Sequence, residues 1–95
     1  MGNINAKDEF LDITKGCEVI ASRVEFGYED DLGSFELKPG HSKKDYEDFL
    51  EYLDREYYNG YGGQELYGII FCEDGVWMDR GEYDGSEWWN INKYP

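Results

Sequence analysis

Three observations predict a small α+β domain. A helix-period stripe of apolar residues lies mid-chain, runs of β-branched and aromatic residues flank it, and glycine-centred turns join those runs. The predicted order is α-β-β-α-β-β, with an antiparallel sheet of four predicted strands and the helices packed on one face. All 95 residues fall in one domain, without internal repeats or a linker.

The first helix is expected over residues 6–15. Asn5 can cap it, Asp8 in the first turn suits the helix dipole, and Lys15 followed by Gly16 supplies a stop. Phe10, Leu11 and Ile13 form its expected buried stripe, with Thr14 beside them. "CEVIASRVEF", residues 17–26, then reads as a strand. Ile20, Ser22, Val24 and Phe26 share one parity; Val19, Ala21, Arg23 and Glu25 share the other. The turn "GYEDDLGS" leads into a short strand over 35–38, which should pair with the first and end at Pro39 and Gly40.

The second helix opens on Ser42 and Asp45, a capping box with Asp in place of the usual Glu. Tyr46, Phe49, Leu50, Leu53 and Tyr57 follow at i, i+3, i+4, i+7 and i+11, a helical stripe. Asp45, Glu47, Asp48, Glu51, Asp54 and Glu56 occupy much of the remaining surface, and Arg55 is the one late base. "YNGYGGQ", residues 58–64, stops the helix. It is no phosphate cradle, because no Lys-Ser/Thr follows and a strand comes next. That strand is expected over 65–73, Asp74-Gly75 signals a hairpin, and a fourth strand follows over 76–80, with Trp77 facing away from Val76 and Met78. In the final "GEYDGSEWWNINKYP", Asp84-Gly85 makes a turn, so the segment should fold back on the sheet. Neighbouring residues of an extended segment point to opposite faces. One tryptophan is therefore expected inside, with Trp88 the outward one.

Composition narrows the functional classes. Aromatics make up 18% of the chain, enough to build a core without disulfides. Cys17 and Cys72 are expected as buried free thiols, with a single disulfide as the alternative. His41 is the only histidine and there is no Cys-x-x-Cys, which argues against zinc; no cofactor is expected. The stretch 79–85 lacks the ligand spacing of a calcium loop. No apolar run is long enough to span a membrane and the first sixteen residues do not resemble a signal peptide, so a cytoplasmic protein is expected. Acidic pairs such as Glu82 with Asp84, or Asp79 with Glu82, could form a glycosidase dyad. With 22 carboxylates such pairs arise by chance, and no nucleophile elbow, P-loop or dinucleotide fingerprint is present. The expectation is a protein that is not an enzyme.

Net charge is the strongest pointer. At −13, it exceeds the ~2–8 that suffices for solubility in a small domain. Such a field repels nucleic acid and anionic membranes and steers toward basic protein surfaces. A rigid acidic domain can occupy a groove whose Lys and Arg normally track phosphates. The expected contact is the acidic face of the second helix, Glu47, Asp48, Glu51 and Asp54, pairing with Arg and Lys of the groove. The loop residues Glu29, Asp30 and Asp31 lie alongside. Glu82, Tyr83, Asp84, Glu87 and Trp88 of the C-terminal segment complete it, with Trp88 or Tyr83 as the anchor. A sugar-binding module built on Tyr57, Tyr58, Tyr61, Trp88 and Trp89 is a further alternative.

"WMDRGEYDGSEWW", residues 77–89, preceded by "YNGYGGQELYGIIF", resembles the closing segment of a group of small acidic phage and prophage proteins. The likeness covers about the last third of the chain. It implies a phage accessory role, and among such roles an anti-CRISPR protein acting on a CRISPR effector in the host bacterial cytoplasm. An immunity- or antitoxin-like protein that neutralises a cognate nuclease would carry the same electrostatics.

Overall fold

In the structure, a computed structural model, residues 2–27, 33–59, 64–83 and 86–93 are described. They form β1 (Gly2–Asn5), α1 (Ala6–Ile13), β2 (Val19–Phe26), β3 (Ser34–Leu37), α2 (Lys43–Leu53), β4 (Glu56–Asn59), β5 (Leu66–Cys72), β6 (Val76–Tyr83) and β7 (Ser86–Lys93). The class is the predicted α+β. The main sheet has five antiparallel strands in the order β3-β2-β5-β6-β7, and β1 pairs with β4 in a separate two-stranded sheet.

Strand alternation sets the layers. Val24 and Phe26 of β2, Leu37 of β3, Leu66 and Ile70 of β5, Met78 of β6 and Trp89 of β7 all bury on one face. The helices supply Ala6, Phe10, Phe49 and Leu53 to the same core, so both cover that face. Phe49 is its centre. Its ring meets Phe10 edge-on at 5.3 Å and Phe35 at 5.8 Å, a favoured aromatic geometry.

Several expectations are corrected. Leu11 is exposed, because an eight-residue helix turns only a narrow stripe, Ala6 and Phe10, fully inward. Ile20 is exposed as well: a register shift between Val19 and Ala21 takes it off the parity of Val24 and Phe26. The α2 stripe ends at Leu53, not Tyr57. The chain leaves the helix at Asp54, and Tyr57 is buried from β4, where it pairs with Ile4 of β1. The C-terminal segment does fold back, as a full strand paired with β6 from Tyr83↔Ser86 to Val76↔Lys93. At the β5–β6 turn Asp74 and Gly75 both take positive φ, 64° and 76°.

The capping box of α2 is present in full. Ser42 Oγ accepts from the Asp45 N–H at 3.1 Å, and the Asp45 carboxylate accepts from the Ser42 N–H at 3.0 Å. These bonds hold the Asp45 carboxyl below its ordinary pKa. A depressed folded-state pKa stabilises the fold above the unfolded pKa, and that contribution is lost as pH falls through the folded one. Ser42→Ala should cost ~1 kcal/mol, read from urea denaturation at neutral pH.

Candidate functional site

Phe49 and Leu53 anchor α2 in the core, which turns Glu47 and Glu51 outward. Neither forms an ion pair among the described residues. The other two expected helix carboxylates are partly engaged. Asp48 pairs with Lys44 at 3.1 Å, which raises the Lys44 pKa. Asp54 accepts from Asn5 Nδ2 at 2.9 Å and lies 3.6 Å from Lys7 Nζ, so its pKa falls and it ties α2 to the start of α1. Arg55 is held away: its Nε donates to the Tyr52 carbonyl at 2.9 Å, and its guanidinium lies over the Tyr52 ring at 5.4 Å. Glu29, Asp30 and Asp31 lie outside the described residues. The end of their loop is fixed beside α2, since Tyr52 Oη donates to the Gly33 carbonyl at 2.8 Å.

The structure does not bring the expected aromatic anchors to this face. Trp88 pairs across from Gly81 and Tyr83 from Ser86, on the side of the sheet opposite Met78, Trp89 and both helices. The expected composite contact therefore divides into two surfaces. The helix-free surface carries Tyr67, Phe71, Tyr83 and Trp88, all exposed. Two of these rings cover glycines. Tyr67 lies over Gly27, and Trp88 lies over Gly81 with its Nε1 donating to Asn90 at 2.8 Å. Trp88 is thus 40% exposed yet held in one orientation, while Trp89 is 7% exposed.

No protein-family model, curated protein or solved structure matches this chain.

Glu87 does not face a partner. Its side chain is 0% exposed and sits 2.7 Å from Arg80 Nη2, whose own side chain is 2% exposed. The same carboxylate accepts from the backbone N–H groups of Glu65 at 2.7 Å and Leu66 at 3.0 Å. Arg80 also reaches Glu9 at 3.2 Å, the Tyr57 hydroxyl at 3.0 Å and the Leu66 carbonyl at 3.3 Å. Tyr57 in turn donates to Glu9. Burial, seconded by Glu9, pushes the Tyr57 pKa well up. Burial also opposes the charge on Arg80, but Glu9 and Glu87 outweigh it. Glu87 misled because acidic residues are usually exposed. The available signal was parity: Arg80 shares the side of Val76 and Met78, so a buried cation there needs an anion nearby.

The remaining candidates separate in the same way. Asp79 and Glu82 leave β6 on opposite faces, and Asp79 accepts from Asn92 at 3.1 Å, so they form no dyad. Asp84 lies outside the described residues. Tyr57 and Trp89 are buried, which removes them from any sugar platform. Tyr61 and the side chain of Tyr58 lie outside the described residues. Cys72 is buried but Cys17 is exposed, and both are free, correcting the expectation of two buried thiols. Cys17 and His41 line one cavity with Tyr46, a juxtaposition the sequence did not disclose. Among the described residues, no group of three or more His, Cys, Asp or Glu could hold a metal ion. No described helix is long and apolar enough to cross a membrane.

Proposed function

We propose that this chain is a non-catalytic binding protein that occupies a basic, nucleic-acid-binding surface of another protein, its carboxylates standing where phosphates would stand. The observation that carries this reading is the outward face of α2. Glu47 and Glu51 are exposed and without an ion pair among the described residues, on a helix fixed from behind by Phe49 and Leu53. Rigidly held carboxylates without an ion-pair partner favour rapid association and a salt-sensitive complex. The net charge of −13 acts in the same direction at longer range. Resemblance of the C-terminal segment to small phage proteins makes a CRISPR effector in the bacterial cytoplasm the first partner to test. A cognate toxin nuclease is the alternative within this class.

Glu47→Lys with Glu51→Lys is the decisive variant. Asp54 is a poor choice, because its bonds to Asn5 and Lys7 hold α2 to α1. Reversing two contact charges should cost at least ~2 kcal/mol of binding, on the order of 30-fold in affinity. Inhibition of target-DNA binding by a CRISPR effector should be lost, with thermal stability close to that of the parent. Pull-down from a lysate carrying such effectors, washed at two salt concentrations, should retain the partner only at the lower. Undiminished inhibition by the double variant would sink the groove-blocking reading.

The helix-free sheet face favours a second reading. Exposed rings pinned over glycines are the kind of surface on which sugars stack, with carboxylates such as Asp79 and Glu25 available to accept hydroxyl hydrogen bonds. A glycan array, followed by tryptophan fluorescence titration of any hit, separates this reading from the first.

A further inference from the structure

The cavity beside the first turn of α2 has a volume of about 380 Å³ and is lined by Cys17, Glu18, His41, Ser42, Lys43 and Tyr46 among others. Behind its exposed Cys17 lies the buried Cys72, and the backbone sets the two side by side. Val19 and Cys72 are partners in the β2–β5 pairing. The Glu73 N–H donates to the Glu18 carbonyl at 3.1 Å, carrying that pairing beyond the strand end toward Cys17. Cys17 is two residues before Val19, so in an extended chain it lies on the same side and becomes the diagonal neighbour of Cys72.

We infer that Cys17 and Cys72 form a reversible intramolecular disulfide, with Cys17 the thiol captured by a small disulfide oxidant such as oxidised glutathione. The Cys17 thiolate attacks one glutathione sulfur. The glutathione S–S bond breaks, a mixed disulfide forms on Cys17, and one glutathione leaves as its thiol after taking up a proton. Cys72 then gives up its proton and attacks the Cys17 sulfur, expelling the second glutathione. The protein loses two electrons and two protons, and oxidised glutathione becomes two reduced molecules. Their placement fixes the order of attack, because only Cys17 reaches solvent. Burial first, and then Cys17, pushes the Cys72 pKa up to about 11, which keeps that thiol protonated while Cys17 reacts.

Diagonal neighbours have Cα atoms ~7–8 Å apart, and a disulfide needs about 4.4–6.8 Å. Closure therefore asks for a shift of roughly 1 Å. The connection between α1 and β2 can supply it. That connection lies outside both elements and turns at Gly16, whose φ is +82°. This inference is independent of what the acidic face binds.

The test is equilibration of the full chain in glutathione buffers from fully reduced to strongly oxidising, followed by acid quench, alkylation and intact mass measurement. The expected product is monomeric, lighter by two hydrogens, without an alkylatable thiol, higher in melting temperature, and restored by dithiothreitol. Cys72→Ser should stop at a glutathione adduct on Cys17, and Cys17→Ser should gain no adduct while folded. Three outcomes overturn the proposal: a parent chain that stops at the Cys17 adduct, disulfide-linked dimers as the main product, or two free thiols throughout the series.

Discussion

Glu87→Leu is expected to destabilise the fold by about 3–5 kcal/mol, the usual cost of removing one partner of a buried ion pair. Two losses combine. Arg80 keeps the partly exposed Glu9 but loses its shortest charged contact, the one at 2.7 Å to the fully buried Glu87. The N–H groups of Glu65 and Leu66 lose their acceptor at the same time. Small domains hold only ~5–15 kcal/mol in total, so the variant should be unfolded in a large fraction of molecules at moderate urea. Glu87→Gln keeps an acceptor and should cost less. Arg80→Leu combined with Glu87→Leu should be better than the sum of the two single changes, because neither charge is then stranded. Urea denaturation followed by tryptophan fluorescence reads all four variants, Trp89 being well placed under the Arg80 guanidinium at 5.0 Å. Strict additivity would show that the pair does not act as one unit.

Phe49→Ala is the second large effect, also about 3–5 kcal/mol. The ring is fully buried and meets one aromatic from α1 and one from β3, so its removal leaves a void between three elements. The variant should also weaken partner binding beyond its share of unfolded molecules, since Glu47 and Glu51 depend on this ring for their fixed position. Binding measured well below the melting temperature separates the two effects. If affinity for the partner is unchanged there, the acidic face does not need a rigid support. Glu47→Ala is the matching surface control and should change stability by no more than ~0.5 kcal/mol.

What could be read beforehand follows the range of the interactions. The capping box of α2, the stripe from Tyr46 to Leu53, the Asp74-Gly75 turn and the outward Trp88 are local, and sequence spacing alone expresses them. The β1–β4 pair was invisible because each strand has four residues, too few for a period, and their partners lie more than fifty positions apart. Tyr57 kept helical spacing by coincidence while belonging to β4. Glu87 looked like surface charge because the cation that buries it stands on another strand. Ile20 was misplaced by one irregular residue in β2, which reverses a parity argument from that point. The acidic face itself was legible, but not that two of its four carboxylates are already engaged inside the protein. Nor could spacing reveal that α2 and Trp88 look out from opposite sides of the sheet.

The cluster around Arg80 also has a consequence for the order in which the molecule is made. Glu9, Tyr57 and Leu66 all precede Arg80 along the chain, and the carboxylate that completes the set arrives only with β7. A chain leaving the ribosome can assemble α1, α2 and β2 early, yet the guanidinium must stay hydrated until Glu87 has emerged. Final closure of the core is thereby deferred until β7 has emerged, well after both helices are available to pack.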